Sequence, residues 1–248
     1  MLMIDAHFHL EGRDLPERML SDGADVGVTE FVGCSLGNYE EFPTSAQTTA
    51  ANDDMAAVIR RHQNVHGYCY VNPRHGRTAH EDFRRRLEDD GFVGLKLWVA
   101  TLADDPLVFP FVETAIEHRL PVLVHAWRKT FAQMRYESTA SNVEALAARY
   151  PEARLIMAHL GGQVESAMAA VQNMPNVRVD TSGTPIGQGE VSLAVRRLGA
   201  ERVIFGTDAP GATIAGSVGK ILDAGLTPEE WELVTHGNMR VLLDEVKR

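Results

Sequence analysis

Near its start the chain reads MLMIDAHFHL, an apolar run that brings Asp5, His7 and His9 in quick succession. In an extended segment alternate side chains share a face, so His7 and His9 point the same way, about 7 Å apart along the strand. Two imidazoles so placed can close on one metal ion, although an HxH pair alone reads equally well as two loop histidines. Polar residues also interrupt or end later apolar runs: Lys96 lies in GLKLW, His125 follows PVLV, His159 follows LIMA, and Asp208 ends VIFGTD. A buried imidazole, carboxylate or ammonium is costly unless paired, hydrogen-bonded or coordinated. Any one of these residues could be structural. Four histidines and an aspartate at the ends of such runs suit a divalent ion with an open coordination position.

The elements that must position them repeat. Eight short apolar runs recur at roughly thirty-residue intervals: MLMIDA, TEFVGCS, VHGYCYV, FVGLKLWV, LPVLVHA, ARLIMAH, NVRVDTS and ERVIFGTDA. Their near-continuous apolar character matches parallel strands covered on both faces. Helical patterns such as AQTTAANDDMAAVIRRH, NVEALAARY and QVESAMAAVQNM lie between them. This alternation predicts an α/β fold, a (β/α)8 TIM barrel forming a single domain over residues 1–248. The length is near the ~250 residues usual for that barrel. Extra C-terminal helices are expected in TPEEWELVTHGNMRVLLDEV, with Thr227 as N-cap, Pro228 at the first position and Glu230 completing a capping box. Barrel enzymes build their sites where strands end, the rim on which His7, His9, Lys96, His125, His159 and Asp208 fall.

Composition narrows the partners. The chain is 44% hydrophobic and 23% charged, with a net charge of −10. That acidic balance argues against a nucleic-acid backbone as the main partner. No run approaches the ~20 apolar residues of a membrane span, and the start lacks a signal peptide's basic beginning and apolar core. The expectation is a cytoplasmic protein with a small-molecule substrate and neither nucleic-acid nor membrane partner; self-association as a homo-oligomer stays open. Cys34 and Cys69, in apolar runs, read as small core residues in a reducing compartment.

The set DAHFH, GLKLW, VLVHA, IMAHLGG, VDTSG, FGTDAP and HGNMRVLL, in order from Asp5 to Leu243, resembles the amidohydrolase superfamily, especially its compact metal-dependent TIM-barrel hydrolases. The resemblance implies that His7 and His9 bind one divalent metal, and that Asp208 both ligates it and takes a proton from the bound water. His125 and His159 would bind a second metal in a binuclear member. In a mononuclear member His125 joins the first ion and His159 meets the substrate or the nucleophile. Zinc is the expected ion, one or two per chain, with manganese as the substitute. Lys96 separates these versions. In binuclear relatives the strand-four lysine is carbamylated and bridges both ions, whereas a bare ammonium would be repelled by two cations. Its other readings are a side chain that snorkels to the rim or pairs with a substrate carboxylate, and a Schiff-base lysine, which suits the surrounding histidines less well.

Trp98 and Trp127, two positions after Lys96 and His125, are candidates to wall a pocket. Arg74, His75 and Arg128, just past strand ends, could hold a substrate carboxylate. Asp180 and Ser182, in VDTSG, either support the site or cap their strand. The expected reaction is hydrolysis of an amide, cyclic amide or lactone by metal-activated water, with Asp208 as general base and His159 beside it. The alternative is a metal-dependent non-oxidative decarboxylase of a small unsaturated acid; such relatives tend to be longer and to lack the lysine of GLKLW. A nuclease of the TatD type would place a glutamate where Lys96 stands. A metal-binding barrel without turnover would be expected to have lost a ligand or the strand-eight aspartate, and neither is missing.

Overall fold

The computed structural model describes residues 2–11, 17–183 and 187–247. Eight strands pair side by side in chain order: β1 (Met3–Leu10), β2 (Val28–Ser35), β3 (Val65–Tyr70), β4 (Gly94–Leu97), β5 (Pro121–Val124), β6 (Arg154–Met157), β7 (Val177–Asp180) and β8 (Val203–Ile204). Every pairing is parallel. The seam between β8 and β1 is closed by the chain just beyond β8. Ala6 N–H donates to the Phe205 carbonyl at 3.0 Å, and His9 N–H to the Ala209 carbonyl at 2.7 Å. The expected (β/α)8 barrel is the fold. Its last apolar run is a regular strand for only two residues, because the chain then bends to reach Asp208.

A helix follows each strand: α1 (Glu17–Asp25), α2 (Ser45–Arg61), α3 (Gly76–Asp89), α4 (Phe109–Glu117), α5 (Ala140–Arg149), α6 (Val164–Val171), α7 (Glu190–Leu198) and α8 (Ile214–Asp223). Thr44 and Gln47 form a capping box that starts α2. The expected C-terminal helices are α9 (Pro228–Glu232) and α10 (Asn238–Asp244), joined by a π turn, and Thr227 and Glu230 form the capping box that opens them. Asn238 ties this region to the barrel by donating to the Ala200 and Val203 carbonyls. Among the described residues, no helix is long and apolar enough to cross a membrane.

Two apolar layers sandwich the strands. Phe31, Val122 and Leu155 face outward into a layer shared with helix residues such as Phe83 of the Gly76–Asp89 helix, while Ile4, Val32, Tyr68, Leu123, Ile156 and Ile204 fill the barrel interior. Each buried side chain of this size contributes about 1.5–3 kcal/mol, so the interior forms a firm floor under the polar mouth. β1 has a register shift between Asp5 and Phe8. Ile4 and Ala6 belong to the interior, whereas Phe8 and Leu10 pack outside. Strict alternation would reverse one of these pairs; the shift absorbs one residue and turns His7 and His9 inward.

Candidate metal centre

All six polar residues expected at the rim meet at the C-terminal mouth of the barrel. His7 and His9 come from β1 and Lys96 from β4, while His125, His159 and Asp208 lie just beyond β5, β6 and β8. Each histidine is held through one ring nitrogen. His7 Nδ1 lies 2.9 Å from Asp180 Oδ2, and His9 Nδ1 lies 3.4 Å from Cys34 Sγ. His125 Nε2 is 2.9 Å from Glu137 Oε1, and His159 Nδ1 is 3.0 Å from Ser182 Oγ. The Ser182 hydroxyl donates to Asp180 Oδ1, which leaves its oxygen to accept from the rings. These tethers put the proton of each neutral ring on the held nitrogen and leave a lone pair on the other; His9, kept protonated beside Cys34 and Asp208, must give up the proton on its second nitrogen before an ion can bind there.

The four nitrogens not held by these tethers turn towards one another. His7 Nε2 and His9 Nε2 are 3.1 Å apart, and His125 Nδ1 and His159 Nε2 are 3.0 Å apart. Asp208 Oδ1 stands 3.1 Å from His9 Nε2 and 3.6 Å from His7 Nε2. Between His125 Nδ1 and His159 Nε2, both tethered on their far sides, acceptor faces acceptor at hydrogen-bond distance, which is repulsive unless a cation lies between. Two ligands at ~2.0–2.1 Å from a tetrahedral ion are about 3.3 Å apart, so His7, His9 and Asp208 have the spacing such an ion needs. His7, His159 and Asp208 likewise offer three donor atoms all within 4.8 Å of one another. This nitrogen and oxygen set fits zinc or manganese.

Burial favours neutral rings at three positions. It pushes His7 down to about 4, with Lys96 adding to the effect, lowers His125, and lowers His159 well below the usual imidazole value. His9 differs. Burial opposes its charge, but Cys34 and Asp208 more than offset this and raise it to about 9. Burial also opposes ionisation of Asp208 and Asp180, yet the hydrogen bond from His9 and the charge of His7, respectively, hold both below the usual carboxylate range.

Lys96 is fully buried, and its amine lies 3.0 Å from His7 Nε2, the lone pair an ion would take. It does not snorkel to the rim, because its whole side chain lies inside the barrel. The amine and an ion cannot share that lone pair, so an ion at His7 requires Lys96 to move or to carry a modification.

Backbone strain gathers at the same mouth. Asp208 (φ 64°), His159 (φ 59°), Leu160 (φ 47°), Tyr39 (φ 57°) and Ala132 (φ 56°) all adopt left-handed conformations. Each costs on the order of 1–3 kcal/mol and needs firm support. For Asp208 that support is Asp5, which accepts from the Thr207 hydroxyl at 2.6 Å and from the Thr207 and His7 N–H groups at 3.0 Å.

Both expected tryptophans stand at the mouth. The Trp127 ring lies 5.0 Å from that of His159, and Tyr39 bridges His9 at 5.8 Å to Trp98 at 5.9 Å. The expected cations are placed differently. Arg128 is exposed, its backbone N–H donating to the Gly161 carbonyl, and the next residue, Lys129, reaches inward to Glu137 Oε1 at 2.8 Å. His75 braces the loop after β2, with Nε2 2.9 Å from the Pro43 carbonyl, so its ring is engaged away from the metal ligands. Arg74 donates to the Ala100 carbonyl and stacks on Tyr136 at 4.5 Å. Cys34 is no inert core residue, since its sulfur holds His9. Neither it nor Glu137 carries a sequence signal: one sits among apolar neighbours, the other in an irregular loop.

A sequence model of the Amidohydrolase family matches residues 4–244. Sequence comparison with curated proteins gives no match. Among solved structures, 2,6-dihydroxybenzoate decarboxylase from Rhizobium has a TM-score of 0.80 at 15% identity, covering 98% of this chain and 99% of that one. 5-Carboxyvanillate decarboxylase from Sphingomonas paucimobilis has a TM-score of 0.79 at 16% identity, covering 98% and 99%. A dihydroxybenzoic acid decarboxylase from a Polaromonas species, solved with manganese and 2-nitroresorcinol, has a TM-score of 0.80 at 17% identity, covering 98% and 97%. At such identities the likeness is one of fold. The family match, which runs through nearly the whole sequence, makes this chain a member of the Amidohydrolase family.

Proposed function

We propose that the chain is a metal-dependent, non-oxidative decarboxylase of a small unsaturated carboxylic acid. The observation that carries the metal reading is the set of four tethered histidines turning their second ring nitrogens, together with Asp208, into one mouth. The fold shared with three decarboxylases, one of them holding manganese, supports decarboxylation over the hydrolysis that the sequence motifs place first. His7, His9 and Asp208 would hold the ion, with His125 Nδ1 and His159 Nε2 adjoining. A divalent ion there, manganese or zinc, supplies a Lewis acid for substrate oxygen atoms.

In the reaction the carbon–carboxylate bond breaks, carbon dioxide leaves, its electron pair stays on the substrate carbon, and a proton takes the vacated position. Asp208 is the most open of the donors, with its side chain 21% exposed, and it is ionised. At this open position Asp208 would carry the proton of the substrate's own carboxyl group to the vacated carbon. His159, neutral and held by Ser182, presents Nε2 as an acceptor that orients the substrate. Trp127 on one side and Tyr39 with Trp98 on the other keep water from the carbon.

Hydrolysis remains the second reading because Lys96 lies among the ligands, where a carbamylated side chain would bridge two ions. Metal-replete protein offered unsaturated and aromatic acids, lactones and cyclic amides distinguishes the two. Carbon dioxide release matching acid consumption supports decarboxylation. Hydrolysis without carbon dioxide replaces it with the second reading.

A further inference from the structure

The segment between β5 and α5 is irregular from Trp127 to Ser138, yet it is closed at its neck. Trp127 N–H donates to the Ser138 carbonyl at 2.8 Å, and Ser138 Oγ accepts from Ala103 N–H at 2.9 Å. Its interior is organised by one side chain. Glu137 is 3% exposed and is met by four donors. Oε1 lies 2.9 Å from His125 Nε2 and 2.8 Å from Lys129 Nζ. Oε2 accepts from Gln133 Nε2 at 2.9 Å and from Met134 N–H at 3.3 Å. Three of these donors belong to the loop, and the fourth is the ring of His125.

Phe131 of this loop is 84% exposed, while Tyr136 packs on Phe42 and Arg74 at its outer side. Gln133 also links Lys129 N–H to the Trp127 carbonyl, but the Glu137 carboxylate alone ties the loop to a ligand ring, and its set of donors is complete only while His125 points Nε2 at it. In that orientation His125 Nδ1 faces the ligand cluster. We propose that Glu137 is a positioning residue that couples the fold of the Trp127–Ser138 loop to the occupancy of the metal centre. This rests on the metal reading above, not on which reaction the centre runs. An ion that draws in His125 Nδ1, which stands 3.0 Å from His159 Nε2, as a further donor beside His7, His9 and Asp208 fixes Nε2 on Glu137 and so orders the loop. By reciprocity, loosening the loop weakens the ion by the same free energy. Because the loop carries Trp127 against His159, metal binding also builds one wall of the substrate pocket.

Trypsin and Mn2+ test this on the full chain, since Arg128, Lys129 and Arg135 place cleavage sites in the loop. Mn2+ should slow cleavage within the loop of the wild type by about tenfold or more. Glu137→Gln keeps the shape of the side chain but loses the charge shared by His125 and Lys129. It should bind Mn2+ about 10–100-fold more weakly and, at saturating Mn2+, be cleaved as fast as metal-free wild type. Lys129→Met retains the Glu137–His125 bond and, with cleavage read after Arg135 alone in it and in the wild type, should show intermediate protection, which supplies the test if Glu137→Gln does not fold. Bound manganese is measured in parallel. Wild type that binds none overturns the metal centre and the coupling with it. Wild type that binds Mn2+ with unchanged loop cleavage, or equal Mn2+ affinity in Glu137→Gln, overturns the coupling alone.

Discussion

A proton on His9 competes with any ion for the same nitrogen. Cys34 and Asp208 raise this ring to about 9 against the effect of burial, so an ion binding at lower pH must displace the proton. Apparent Mn2+ affinity should therefore rise about tenfold per pH unit from pH 7 towards 9 and then level off. Titration calorimetry in two buffers of different ionisation enthalpy should find about one proton released at pH 7.5; binding with no release would remove His9 from the ligand set. Asp208→Asn keeps the shape of the side chain but removes the group that carries the proton. A loss of about 10²–10⁴-fold in kcat is expected, and a smaller one contradicts that role. His7, His9, His125, His159 and Asp208 were legible in the sequence because a polar residue at the end of an apolar run is conspicuous. Their tethers were mostly hidden. Cys34 gains its partner only when β2 pairs with β1, and Glu137 reaches back across twelve positions of irregular chain. Asp180 and Ser182, which end the seventh run, stood open as either supports or caps; the structure makes them supports.

The loops at the mouth depend on close backbone approach as well as on polar contacts. Gly162 has φ 81°, and a Cβ there would fall 2.2 Å from Trp127 Cδ1 and 2.8 Å from the Arg128 backbone nitrogen. Gly162→Ala must therefore displace the start of the β5–α5 loop while leaving every metal ligand intact. A destabilisation of about 1–3 kcal/mol is expected, read as a lower urea midpoint together with a changed near-ultraviolet tryptophan signal. An unchanged signal would show that Trp127 is not held by this contact. At this scale the strands and helices were readable from apolar runs and helical stripes, and the capping box of Thr227 and Glu230 from local chemistry. The shift within β1 and the brevity of β8 were not, because both follow from closing the barrel around Asp5, His7 and Thr207. The same closure explains why a run as apolar as VIFGTDA leaves its strand after Ile204.

Across the whole molecule the buried rings set how the metal-free protein responds to acid. Unfolded His7, His125 and His159 take up protons near pH 6.5, while the folded rings resist them, His7 down to about 4. The unfolded state therefore binds more protons through that window, and stability falls as pH falls. Below about 4 the depressed Asp180 and Asp208 extend the loss. Asp5, raised to about 7 by burial, opposes the trend between about 4 and 7, one group against three. His9 loses its contribution as pH rises from 6.5 through about 9, which places the stability maximum near neutrality. A urea midpoint that rises between pH 7 and 5 would contradict the neutral rings on which the metal centre depends. The most direct test of that centre is an anomalous difference map from zinc-soaked crystals, measured at the zinc edge. A peak about 2.0–2.1 Å from His7 Nε2 and His9 Nε2 and near Asp208, with the Lys96 amine displaced from His7 or carrying added density, is the predicted result. No peak at the mouth, with Lys96 still bonded to His7 Nε2, would contradict it.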